Sequence, residues 1–124
     1  MGTLAAVAIG GALGASARYG VDRLIEERVS SLFPWATFTV NMSGCVLSAL
    51  LVTILVERLG APSWLGIGAI TGFVAAYTTF STLAFETYEL LELRHTVLGV
   101  AYVLSSVTVG VAAISLGQWL GRAM

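Results

Sequence analysis

Charge is what this chain is short of. Of its 124 residues, 10% are charged and 57% are hydrophobic, where an ordinary soluble domain carries about a quarter charged residues. Too few polar side chains remain to clothe a water-facing surface, and lipid is the expected solvent. Lysine is absent, and the six basic residues are all arginine. With seven acidic residues the formal charge is -1, so nothing suggests nucleic acid as a partner. Cysteine occurs once, as Cys45 inside an apolar run. That excludes a disulfide framework and a thiolate metal site, and leaves a small packing residue. No phosphate-binding loop, nucleophile–base pair or side-chain metal cluster is visible, which argues against an enzyme.

What is present is long apolar runs. A spanning helix needs about 20 mostly apolar residues. Four segments qualify, at about 3–23, 34–56, 62–91 and 96–120, within one transmembrane domain covering 1–124. Pro34 and Pro62 stand where helices should begin. Trp35, Trp64 and Trp119 fall near the expected helix ends, as interfacial anchors do. The start lacks a basic region and runs on as apolar sequence, so it reads as the first span and not as a cleaved leader. The third segment is longer than a straight crossing requires. Tilt, a broken helix and an amphipathic extension would each explain that length, and periodicity does not choose among them.

Four spans put both termini and the 57–60 loop on one side, with Arg58 and Arg122. The other side carries Arg23, Arg28 and Arg94, with Arg18 near the boundary. Basic loop residues normally set orientation, and here the difference is slight. Insertion in both directions, and with it an antiparallel dimer, is one consequence; the other is that the count carries no meaning. Gly10 and Gly14, Gly68 and Gly72, and Gly117 and Gly121 are each four apart, a spacing that lets helices approach closely. Four helices alone enclose little interior, so a dimer is expected.

Polar groups inside a membrane are costly and often functional. The densest cluster is Thr78-Thr79-Phe80-Ser81-Thr82, in the middle of the third span. Its hydroxyls either bond back to their own helix or line a polar pathway. Asn41, several residues into the second span, offers two amide donors to a dehydrated anion, or a bond between helices. Tyr102 and Ser106 share a face of the fourth helix, with Ser105 and Thr108 nearby. An aromatic ring has a positive edge that can meet a small anion, and Phe80 lies among hydroxyls. Arg18, late in the first span, either snorkels to the interface or stands electrostatically at an anion entrance. Glu86 pairs with an arginine or lines a vestibule. His95 reads as a solvated loop residue.

Three stretches carry a resemblance. Gly10-Gly11-Ala12-Leu13-Gly14-Ala15-Ser16-Ala17-Arg18-Tyr19 resembles the first-helix signature of the Fluc (CrcB) fluoride channels. Thr37-Phe38-Thr39-Val40-Asn41-Met42-Ser43-Gly44 is similar to their second-helix motif. Thr78-Thr79-Phe80-Ser81-Thr82, followed by Glu86, is similar to their third-helix motif and is the most specific of the three. The resemblance implies an all-α membrane protein of four transmembrane helices, the third broken at mid-membrane. It implies an antiparallel dual-topology dimer with two fluoride pores, and a central structural Na+ held by backbone carbonyls that fall on Ala75 and Thr78. The fluoride pathway it implies runs along Asn41, Thr79, Phe80, Ser81, Thr82, Leu83, Tyr102 and Ser106. There are departures. Leu83 stands where a second pore phenylalanine is usual. Ala75 and Ala76 replace a common glycine pair, and alanine dislikes a left-handed backbone. Gly110 stands where another hydroxyl is often found.

The expected function is therefore a passive fluoride-selective channel of the cell membrane, exporting cytoplasmic fluoride to reduce its toxicity. Two alternatives are a subunit of a heterodimer of related chains with one degenerate pore, and a non-transporting membrane scaffold. A small multidrug exporter would need a carboxylate inside its first helix, and no acid precedes Asp22.

Overall fold

The computed structural model describes residues 2–124. Helix α1 is Gly2–Glu26. Helix α2 is Trp35–Leu51, continued by a π-helical stretch, Val52–Arg58. Helix α3, residues 63–77, consists of Ser63–Ile67, a π-helical stretch Gly68–Val74 and a last turn Ala75–Tyr77. Helix α4 is Phe80–Glu92 and α5 is Thr96–Ala123. The pair α3 and α4 occupies the third apolar segment, so four helical runs long and apolar enough to cross a membrane are found among the described residues. Pro34 and Pro62 each stand one residue before a helix, with ψ of 71° and 137°, outside the helical range. Proline has no N–H to lose there.

Packing follows the small residues. Helix α1 lies along the Gly68–Val74 stretch of α3, and α2 lies along α5. A Cβ on Gly10 would fall on the Gly68 carbonyl, and one on Gly14 on the Phe73 carbonyl. A Cβ on Gly72 would stand 2.9 Å from the Val7 carbonyl oxygen. On the other seam Gly117 meets the backbone of Val46, and Gly121 meets Thr53. All three glycine pairs are thus used inside one copy of the chain. Arg58 closes the second seam by donating from Nη1 to the Gly121 carbonyl at 2.9 Å.

The interior is thin. Tyr102, Val40 and Thr53 are the largest fully buried side chains, whereas Leu4, Leu13, Val97, Leu104, Val107 and Val111 all stand exposed. Apolar area of that extent is untenable in water and is the normal outer face of a helix bundle in lipid. The chain is a multi-pass membrane protein.

The α4–α5 connection ends on strain. Leu93, Arg94 and His95 return their N–H groups to Glu89, Leu91 and Leu90 at 3.0, 3.1 and 2.8 Å. The turn needs a left-handed residue, and Arg94 supplies it at φ 60°. A side chain there costs about 1–2 kcal/mol, and glycine is the usual occupant of such a helix end. Arg94→Gly is expected to raise stability by about 1 kcal/mol in detergent unfolding. A fall would show that the arginine side chain holds the turn by a contact of its own.

Candidate functional site

The third apolar segment is interrupted at Thr78 and Thr79. Thr78 takes φ -78°, ψ 160°, and Thr79 takes φ -150°, ψ 116°. Both lie in the extended region open to any residue. Ala75 keeps a right-handed helical backbone at φ -65°, ψ -32°, and no positive φ occurs between 75 and 79. The alanine pair at 75 and 76 therefore meets no left-handed demand.

What holds two residues extended between two helices is Asn41 of α2. Its Oδ1 accepts from the Thr79 N–H at 2.8 Å, and its Nδ2 donates to the Thr79 carbonyl at 3.1 Å. One side chain satisfies both backbone groups of a buried residue, as a neighbouring strand would. The Thr79 hydroxyl then starts α4: it accepts from the Thr82 N–H at 3.2 Å, a helix N-cap. It donates to Thr82 Oγ1 at 2.9 Å, and Ser81 Oγ lies 3.4 Å away. Gly44, one turn along α2 from Asn41, leaves room for the Thr78 side chain.

These bonds have a consequence for the carbonyls. In a continuous helix the Thr79 N–H would serve Ala75 and the Thr82 N–H would serve Thr78. Both donors point elsewhere, to Asn41 and to the Thr79 hydroxyl. Ala75 and Thr78, the two positions the resemblance assigns to Na+, are thus carbonyls without their helical donors. Oxygen donors of this kind suit a hard cation.

Beside the break lies an open groove of about 320 Å³, whose walls include Asn41, Thr79, Phe80, Leu83 and Ser106. Phe80 is 82% exposed, so its ring edge is available to something outside its own helices. Ser106 Oγ is buried with no hydrogen-bond partner. Asn41 keeps one amide hydrogen beyond the one given to Thr79. Ser81 and Thr82 stand exposed on the first turn of α4. Not every expected hydroxyl contributes. Thr78 bonds back to Val74 at 3.1 Å, Ser105 to Tyr102 at 3.1 Å and Thr108 to Leu104 at 2.8 Å, so these three serve their own helices.

Tyr102 belongs to a second cluster. Its hydroxyl donates to Glu86 Oε2 at 2.7 Å, and Thr37 Oγ1 donates to Glu86 Oε1 at 2.7 Å. Phe33 packs edge-on against the Tyr102 ring, with centroids 5.3 Å apart. Glu86 also lines a cavity of about 240 Å³ with Glu26, Ser31, Phe33 and Trp35. Of the two alternatives for Glu86, no arginine pairs with it among the described residues: two hydroxyls hold the carboxylate, and the ion pairs found are those of Arg23 with Glu26 and Glu27. Arg18 is half-buried on α1 and lines neither cavity. Thr37 is the residue that sequence reasoning passed over. It lies four positions before Asn41, on the same face of α2, and that spacing was the available signal.

Comparison with known proteins gives a consistent result. The family model described as CrcB-like protein, Camphor Resistance (CrcB), matches residues 5–118. The chain is 42% identical to the fluoride-specific ion channel FluC of Acidobacterium capsulatum, covering 94% of this chain and 93% of that protein. It is 40% identical to the protein of that name in Solibacter usitatus, over 94% and 95% of the two chains. The corresponding figures for Chloroflexus aurantiacus are 34%, 98% and 97%.

Proposed function

The chain belongs to the CrcB-like family, and on that footing we propose that it is a passive, fluoride-selective channel of the cell membrane that lets cytoplasmic fluoride escape and so lowers its toxicity. The observation that carries the reading is the groove beside the break. It sets the remaining amide hydrogen of Asn41, the partnerless hydroxyl of Ser106 and the exposed ring of Phe80 around one space.

The physical need is plain. Hydrogen fluoride crosses lipid as a neutral acid and ionises in a near-neutral cytoplasm, where the anion is trapped. Fluoride holds water tightly, so a pore must replace hydration with donors placed in advance. Asn41 and Ser106 donate strongly, the hydroxyls of Ser81 and Thr82 extend the series along α4, and the edge of Phe80 adds a weaker contact. Leu83 has no polarised edge and supplies only a wall. Glu86 is not among the groove's lining residues, and Thr37 and Tyr102 hold both its oxygens.

The groove is open on one side, and a second copy inserted in the opposite direction would supply the missing wall. Near-balanced arginines on the two sides, and a ring at Phe80 that faces outward, support that antiparallel arrangement. It would set the break at Thr78–Thr79 at mid-membrane. Ala75 and Thr78 would hold the central Na+ through their donor-free carbonyls. When bound, that ion supplies a fixed positive charge between the broken helices. Leu83 favours a second reading, in which this chain pairs with an unlike subunit that carries the missing ring.

Purified protein reconstituted alone in liposomes is expected to release fluoride rapidly, recorded with a fluoride electrode, and to retain chloride. Retention of fluoride by well-folded protein would overturn the homodimeric channel. Release restored only by a co-reconstituted related subunit would establish the unlike pair.

A further inference from the structure

The break is held from its other end as well, by a contact the pathway does not use. Tyr77 closes α3, and its hydroxyl lies 2.8 Å from Ser43 Oγ on α2. Ser43 has one hydrogen, and it already faces the Thr39 carbonyl at 2.7 Å and the Val40 carbonyl at 3.1 Å. Tyr77 is therefore the donor. Its ring is 8% exposed and stacks on Phe73 at 6.0 Å with an interplanar angle of 11°. Gly44 makes the space: a Cβ there would stand 3.3 Å from Tyr77 Cδ1.

Helix α2 thus grips both sides of the interruption, with Ser43 on residue 77 and Asn41 on residue 79. Between these grips the last turn of α3 is only Ala75–Tyr77. The Thr79 N–H, which a continuous helix would give to Ala75, goes to Asn41, and the Thr82 N–H, which it would give to Thr78, goes to Thr79 Oγ1. The turn continues the helix behind it, with the Thr78 N–H on the Val74 carbonyl at 3.0 Å, and the Tyr77 side chain adds its tie to α2. We infer that Ser43 and Tyr77 are a positioning pair: by fixing the turn they aim the Ala75 and Thr78 carbonyls, and so set the affinity of the break for Na+. This rests on the Na+ site proposed above.

The direction of the hydrogen bond makes the two halves of the pair unequal. Tyr77→Phe keeps the stacked ring, and Ser43 stays satisfied by its own helix. Ser43→Ala leaves a buried tyrosine hydroxyl without an acceptor, which is the costlier defect, and Tyr77 must turn to find another. Adding Tyr77→Phe to Ser43→Ala removes the stranded hydroxyl.

The test uses full-length protein, with Na+ exchanged for K+ at constant ionic strength. The rise of melting temperature with Na+ gives the half-saturating concentration, and fluoride efflux is followed over the same series. Ser43→Ala should raise the half-saturating Na+ by about tenfold, Tyr77→Phe and the double variant by about threefold or less, and Ser43→Thr hardly at all. Efflux at saturating Na+ should stay within about twofold of the parent. A merely structural pair would lower every melting temperature and leave the Na+ half-point unmoved, which would overturn the inference. So would a parent whose melting ignores Na+. A parent that responds to Na+ yet passes no fluoride would overturn the channel instead, and the melting series would still decide on the pair.

Discussion

Asn41→Ala is expected to abolish fluoride release while leaving all four helical runs in place. The substitution removes an acceptor and a donor at once, both committed to the backbone of Thr79. Stranding a buried polar group costs about 1–3 kcal/mol, so the two together cost about 2–6 kcal/mol. The chain has a cheaper course. Thr79 can return its N–H to Ala75, and the interruption heals into continuous helix. That refills the Ala75 carbonyl, rotates Phe80 and α4, and dissolves the groove. A change of about 2.8 kcal/mol or more corresponds to about a hundredfold loss, which liposome efflux would register as silence, with helicity by circular dichroism equal to or above the parent's. Asn41→Asp should be silent too, because it sets a second oxygen against the Thr79 carbonyl. Efflux within about threefold of the parent for Asn41→Ala would refute the role given to this amide.

Gly14→Ala should be the most damaging single methyl in the molecule. Its Cβ would land on the Phe73 carbonyl, with the Phe73 backbone carbon and Cα also close. Overpacking against side chains that can yield typically costs about 1–3 kcal/mol. Here the obstacle is backbone, and relief requires α1 to lift from α3 along the whole Gly10–Gly14 seam. We expect a loss of about 3 kcal/mol or more, seen as failure to purify as monodisperse protein. Gly20→Ala is the internal control. Nothing lies within 4 Å of its Cβ position, so alanine should gain up to about 1 kcal/mol of helix propensity. Equal effects at 14 and 20 would mean that α1 does not pack on α3 as described.

Four long apolar helices were legible because lipid imposes a simple demand on length and polarity. The glycine spacing was legible as well, but not its address: such a pair states that some backbone comes near, not whose. The interruption at Thr78–Thr79 is different in kind. It uses no proline, no glycine and no left-handed φ, and the Thr79 N-cap looks like any other hydroxyl of its cluster, so the reading of residues left tilt, break and extension open. Its cause lies 38 residues away, in Asn41. The same holds for Glu86, whose partner Thr37 is 49 residues distant. An arginine partner was one of the two alternatives open for this carboxylate. A hydroxyl pair from α2 and α5 could be found only once the helices were laid side by side.

One consequence of the glycine seams concerns kinetic order. Each of the six spaced glycines is occupied within its own chain, so the tight backbone approaches form in a first-order event that needs no second molecule. The outward faces left for any encounter carry valine, leucine and isoleucine together with Phe80, Ser81 and Thr82, and they meet at side-chain distance. The proposed pairing of copies would then be second order and governed by the protein's mole fraction in the bilayer. Thinning the protein with lipid should separate copies long before it unfolds one.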